Sequence, residues 1–283
     1  MIVCEREKML NIASMLCYCI YMIGLIYSIV ILLACIIAAI VGLGGAVFFL
    51  PIFDAIDYHS FNEIQLFSSV AIVTMTLVST IKKIKDGLKI DMPLAITVSM
   101  GAIVGGLIGD LILEYMQAIM VVSRNVQLTQ TISTIIVLSL AIFLTLKKDF
   151  RYEVKSKVLP PLMGLVLGIV AVFLGIGGGP LNVPLFMIFL GLAPKSATAY
   201  SLVVIFFTHA SRLVRLGFSS DFFTGYDIGV LPLIIAAAAL GGLLGAKVSV
   251  SLSENAVKKM FVGALIAVIL LNAFNGLQWL IGS

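Results

Sequence analysis

Charge is scarce in this chain of 283 residues: Asp, Glu, Lys and Arg make up 11% of it, against 61% hydrophobic residues. A soluble domain carries about 25% charged and about 45–50% apolar residues, so this composition excludes an ordinary water-facing globule and calls for a bilayer. Histidine is scarcer still, with only His59 and His209. No pair at i and i+4 can hold a catalytic metal, and no bis-histidine haem site can form within the spans. A glycine-rich nucleotide loop is also missing, which excludes an ATP-driven pump encoded in this chain.

Cysteine is confined to Cys4, Cys17, Cys19 and Cys35, in or before the first apolar segment. Cys17 and Cys19 fall on different faces of a helix, so all four read as small apolar packing residues and not as metal ligands or a redox pair. Arg6 and Lys8 precede a long apolar stretch with no small-residue cleavage pattern behind it, which predicts a retained first helix. The net charge of +4 reads as loop lysines facing the cytoplasm, with no nucleic-acid surface implied.

Long apolar runs are what the chain has in plenty. Cutting it at every charged residue leaves eight runs of 16 residues or more, at 9–53, 64–81, 92–109, 125–146, 158–194, 196–211, 228–246 and 260–283. Most are near the roughly 20 residues that one spanning helix needs. The first and fifth are far longer, and each contains a glycine-rich interruption: "VGLGGAVFFLPI" at 41–52 and "LGIGGGPLNVPL" at 174–185. Superposing them places Gly42 on Gly175, Gly44 on Gly177, Gly45 on Gly178 and Pro51 on Pro184. Ser69, Thr76 and Ser79 then fall on Ser201, Thr208 and Ser211, and "GGLIG" at 105–109 answers "GGLLG" at 241–245.

Matches in one order with similar run lengths predict an internal duplication. The expectation is an all-α polytopic membrane protein of two homologous repeats of four apolar segments each, with Gly/Pro-broken helices at the repeat starts. Residues 1–146 form the first repeat, 147–157 a charged cytoplasmic linker and 158–283 the second. If each long run crosses once there are eight spans and parallel repeats; if each crosses twice there are ten and the repeats are inverted. Either way the inner loops collect 13 of the 18 Lys and Arg residues, including Lys82, Lys83, Lys85, Lys89 and the linker. Ten is favoured by length, because a helix over 158–194 would reach about 55 Å, well beyond a core of about 30 Å.

A duplicated break points to a transporter's substrate site, where unwound backbone and half-helix ends face a buried cavity. Glycines let a ligand approach the main chain, and Pro180 suits the first turn of a new helix. The amides there lack intrahelical acceptors and carry the positive end of the helix dipole, so an oxyanion is the natural occupant. Gly44, Gly45, Gly177, Gly178, Gly179 and Asn182 are therefore expected to line the site. The "GGLIG" and "GGLLG" glycines, by contrast, read as close helix packing.

The pattern of an apolar helix, Gly-x-Gly-Gly-Gly, a proline a few residues on and then "ATAYSL" at 197–202 resembles the sulfite exporter family TauE/SafE. It is strongest at 174–202 and weaker at 41–70, where Ala46 stands in place of the third glycine. The resemblance implies a protein of the prokaryotic plasma membrane that moves sulfite, thiosulfate, sulfoacetate or related anions.

Ser69, Thr198 and Ser201 follow the breaks, and their hydroxyls are expected to complete an oxyanion shell or, as Ser and Thr commonly do, to bond a preceding carbonyl. His209 and Arg212, three apart on one helix face, are candidates for coupling or gating, since an ionisable group within a span is functional by default. Arg212 and Arg215 read as interfacial. Asp110, Glu114 and Asp227 lie at run ends and are expected in solvent. The reading is a non-enzymatic secondary exporter of small anions working by alternating access, with no cofactor and no metal. Its partners are the anion, membrane lipid and a coupling proton or cation, without nucleic acid; an anion channel or, less readily, an intramembrane enzyme is the alternative.

Overall fold

The computed structural model describes residues 2–56, 58–119, 123–146, 157–174, 179–218 and 228–281. Among them the chain is helical throughout, with no strand. The helices are α1 (Ile2–Val41), α2 (Ala46–Ile56), α3 (Phe61–Lys85), α4 (Met92–Ile119), α5 (Ser123–Leu146), α6 (Leu159–Phe173), α7 (Asn182–Phe189), α8 (Pro194–Gly217), α9 (Leu231–Ser251) and α10 (Glu254–Ile281). Seven of them are long and apolar enough to cross a membrane: α1, α3, α4, α5, α8, α9 and α10. The expectation was eight to ten spans. The difference lies in the long runs: α6 keeps only 15 apolar residues, and α2 and α7 have 11 and 8. At about 1.5 Å per residue, none of the three alone covers a hydrocarbon core.

Rows of large apolar side chains remain exposed at helical spacing, such as Leu25, Ile29, Leu33 and Ile37 on α1 and Ile96, Met100 and Val104 on α4. In water such rows would be a liability; in acyl chains they are the matching surface. Cys35 is a free, fully buried thiol on α1 and packs as the small apolar residue expected of it. The side chains of Cys4, Cys17 and Cys19 lie outside the described part.

Small residues set the core spacing. On α4, a Cβ added to Gly101 would collide with the Pro161 carbonyl and one on Gly105 with that of Leu165, both on α6; at Gly109 it would sit 2.7 Å from the Ile169 carbonyl oxygen. Residue numbers rise together along the seam, so α4 and α6 run parallel. The seam between α1 and α9 is built alike, with Gly241 against Leu32, Gly245 against Ile36 and Ser249 Oγ donating to the Ile40 carbonyl at 3.3 Å. These are the "GGLIG" and "GGLLG" glycines, and they pack helix backbones together.

α3 and α8 cross the centre in opposite directions, since Lys83 meets Thr198 while Ser69 meets His209 and Gln65 meets Arg212. A capping box starts α3, with the Glu63 carboxylate accepting from the Ser60 backbone N–H at 2.9 Å and the Ser60 hydroxyl accepting from the Glu63 N–H. Gly87, at φ +97°, ends it in a turn in which the Leu88 N–H returns to the Lys83 carbonyl.

Candidate functional site

After Val41 the chain cannot continue as a helix, because Gly42 takes φ +74°, a conformation that favours glycine. The Gly42 and Leu43 N–H groups both return to the Ala38 carbonyl, at 2.8 and 3.1 Å, and the chain reverses. α2 runs back beside α1: Gly45 lies next to Cys35, and Phe53 stacks on Tyr27 with ring centroids 4.0 Å apart. At the start of α2 the Gly44 and Gly45 carbonyls accept from Val47, Phe48 and Phe49, while the N–H groups of Gly44, Gly45 and Ala46 find no acceptor among the described residues.

The second glycine-rich segment meets this turn. Gly179, at φ +97°, sits so close that a Cβ would lie 2.8 Å from Leu43 Cα and 2.9 Å from the Gly42 carbonyl oxygen. Val183 N–H reaches back to the Gly179 carbonyl at 3.4 Å, so the helical turn into α7 already contains Pro180. Asn182 opens α7 and is buried. Gly177 and Gly178 lie outside the described residues.

The N-terminal turns of α8 close the other side. A Cβ on Gly42 would stand 2.6 Å from Thr198 Cα, and Ser201 Oγ donates to the Gly42 carbonyl at 2.7 Å. Thr198 Oγ1 donates to the Lys195 carbonyl at 2.7 Å and receives Lys83 Nζ at 3.4 Å. Gly44, Gly45, Gly179, Asn182, Thr198 and Ser201 therefore lie at or beside one buried junction. Replacing Ser201 by alanine should strand the buried Gly42 carbonyl at a cost of about 1–3 kcal/mol. The expected readout is faster amide exchange over residues 42–46; exchange as slow as in the unaltered protein would show that Ser201 does not hold the turn.

Ser69 is not at this junction; of the two expectations for it, an oxyanion shell shared with Ser201 or a bond to a preceding carbonyl, the structure has the bond. Because α3 and α8 are antiparallel, equivalent positions fall in opposite halves of the molecule: Ser69 pairs with His209, eight residues or about 12 Å along α8 from Ser201. Ser69 Oγ donates to the Gln65 carbonyl at 2.9 Å, so its oxygen receives the His209 Nδ1–H, 3.4 Å away. That tautomer leaves Nε2 as an acceptor, fully buried and without a partner among the described residues.

A turn further along α8, Arg212 donates from Nη1 to Gln65 Oε1 at 2.9 Å, and its Nε lies 3.1 Å from Asp110 Oδ1. Arg215 binds the other Asp110 oxygen at 2.7 Å and also reaches Glu114. Two expectations are corrected here. Asp110 is 3% exposed instead of solvated, and Arg212, at 6%, is buried instead of interfacial. A charge at the end of an apolar run reads as a boundary; here α4 and α8 cover it with each other's opposite charge. Glu114 keeps an exposed side chain. Asp227 lies outside the described residues. Gln65, which is buried, was passed over in the sequence, and Lys83, expected in an inner loop, lies instead in the last turn of α3 and is buried.

No group of three or more His, Cys, Asp or Glu side chains able to hold a metal occurs among the described residues. Seven helices long and apolar enough to cross a membrane, with large apolar side chains on their outer faces, define a multi-pass membrane protein. The chain belongs to the TauE/SafE sulfite exporter family, whose model matches residues 27–271. No curated protein and no solved structure matches it.

Proposed function

We propose that the protein is a secondary exporter of a small oxyanion of the sulfite class, working by alternating access in the plasma membrane, with the glycine junction as its substrate site. The observation that carries this reading is the contact of Gly179 with Gly42, Leu43 and Gly44 inside the helical bundle, at a spacing that side chains would forbid. An anion placed there would meet the amides of Gly44, Gly45 and Ala46 at the start of α2, which have no acceptor among the described residues. The hydroxyls of Thr198 and Ser201 are committed to backbone carbonyls in this conformation, so they serve the anion only after the junction moves.

Support for a duplicated chain comes from packing that repeats at the sequence offset of the halves. Gly105 on Leu165 and Gly109 on Ile169 correspond to Gly241 on Leu32 and Gly245 on Ile36. The equivalent helices α3 and α8 are antiparallel, as inverted repeats require, and the return of α2 along α1 favours ten crossing segments, some of them half-helices. On this reading 1–146 and 158–283 are the repeats and 147–157 the linker, with 13 of the 18 Lys and Arg residues at the cytoplasmic end. His209 and Arg212 would take part in coupling to a proton or cation.

The test is flux in proteoliposomes, with sulfite, thiosulfate, sulfoacetate and sulfate offered under imposed proton gradients. Saturable counterflow of at least one sulfur oxyanion is expected. Folded protein that moves none of them overturns the reading, and conductance without saturation replaces it with a channel.

A further inference from the structure

We propose that Lys83 and Lys195 form an anion-binding site at the end of the molecule where α3 stops and α8 begins, suited to a small doubly charged oxyanion such as sulfite or sulfate. The transport role of this site rests on the exporter reading above.

Lys83 lies in the last turn of α3 and is 1% exposed. Its ammonium has one hydrogen-bond contact, the Thr198 hydroxyl oxygen at 3.4 Å, and no carboxylate partner among the described residues. Lys195 directs its ammonium to the Val250 carbonyl at 3.0 Å, while Glu254 accepts from the Lys195 backbone N–H and not from Nζ. Both lysines line one cavity, with Ser249 on α9 and the loop residues Asp86, Gly87 and Leu88. Asp86 is the only acid in that lining, and its carboxylate is taken by Lys82 at 2.5 Å.

A buried ammonium without a counter-charge is costly, and more so within a membrane span. The other half of the chain shows how such a cation is otherwise neutralised. At the offset that carries Ser79 onto Ser211, Lys83 falls on Arg215, which is held by Asp110 and Glu114. At the offset that carries "GGLIG" onto "GGLLG", those two acids fall on Ala246 and Val250. Where Arg215 has two carboxylates, the positions equivalent to those acids are Ala246 and Val250, which supply no counter-charge to Lys83 and leave room for a dissolved anion to supply it.

The turn at Gly87 borders the cavity, and nothing lies within 4 Å of a Cβ added to that glycine. Lys83, on the cavity wall, reaches the Thr198 hydroxyl, and the Thr198 backbone touches Gly42 at the junction. An anion held between Lys83 and Lys195 is thus one residue away from the glycine turn. This end also carries Lys82, Lys85 and Lys89, the charge bias of a cytoplasmic face, which is where an exporter collects its substrate.

The experiment titrates sulfite and sulfate into detergent-purified full-length protein and follows binding by calorimetry and by the thermal midpoint. The unaltered protein should be stabilised by the anion. Lys83→Met should weaken binding about tenfold or more and lose the stabilisation, while Lys83→Arg keeps both. Without anion, Lys83→Met should be at least as stable as the unaltered protein, because it removes an uncompensated charge. If it does not accumulate, Lys195→Met carries the same test, with binding weakened several-fold. Binding to the tested variant within twofold of the unaltered protein, or no binding to the unaltered protein, overturns the site. Lys83-dependent binding without any flux in proteoliposomes upholds the site and overturns the exporter reading instead; flux with Lys83-independent affinity does the reverse.

Discussion

A single methyl group at Gly164 is expected to cost most of the folded protein. A Cβ there would collide with the Val98 carbonyl oxygen and come within 2.9 Å of Ala102 N, and the reciprocal Gly101 would drive a Cβ into the Pro161 carbonyl and to 2.8 Å from Leu165 N. The obstacles are main-chain atoms of straight helices, which cannot rotate away as a side-chain tip can. To admit the methyl group α6 has to withdraw from α4, giving up dispersion contacts along the whole seam. Overpacking costs about 1–3 kcal/mol in ordinary cores, and Gly164→Ala belongs at or above the top of that range. Gly263→Ala is the control: it lies in α10 with nothing within 4 Å of the added carbon. Alanine there should be neutral or stabilising by up to about 1 kcal/mol, from helix propensity. Thermal midpoints of the two variants in detergent decide the matter. Equal shifts would mean that α4 and α6 do not approach as closely as described.

The seam glycines of α4 and α9 were legible in the sequence, because four-residue spacing in an apolar run has a direct geometric meaning, namely one helix face brought close to another, whereas Gly164 on α6 was not singled out. The all-helical membrane class was legible from composition, and the family from the motif around Gly179 and 197–202. What the linear pattern did not convey was which halves face each other. Ser69 and Ser201 look like partners when repeats are superposed on paper, yet antiparallel α3 and α8 send them to opposite halves. The count of full-length spans is not legible for a related reason: run length counts residues, whereas the turn at Gly42 and the shortness of α2, α6 and α7 decide how many of them cross as one continuous helix. Contacts across a hundred residues, such as Asp110 with Arg212 and Arg215, have no local signature at all.

That last cluster yields the second large effect. Asp110→Ala should destabilise the protein by about 3–5 kcal/mol, because it leaves two guanidinium groups, Arg212 almost wholly buried, without their shared carboxylate. Arg212 would keep Gln65 Oε1, and Arg215 would keep Glu114, but neither replaces the lost negative charge at the centre. Asp110→Asn retains shape and hydrogen-bonding capacity while removing the charge, so its loss should be smaller and of the same sign. Removing the whole cluster separates structure from function. In the triple variant Asp110→Leu, Arg212→Met and Arg215→Met the buried charges disappear together, and apolar replacement of a complete ion cluster is often neutral or stabilising. Folding should therefore recover. If Arg212 also acts in coupling, flux in proteoliposomes stays lost in the recovered protein; full flux with restored folding would make the cluster a structural clamp between α4 and α8, and leave His209 as the coupling candidate in this half. A single Asp110→Ala variant as stable as the unaltered protein would show instead that water, and not Asp110, screens the two arginines.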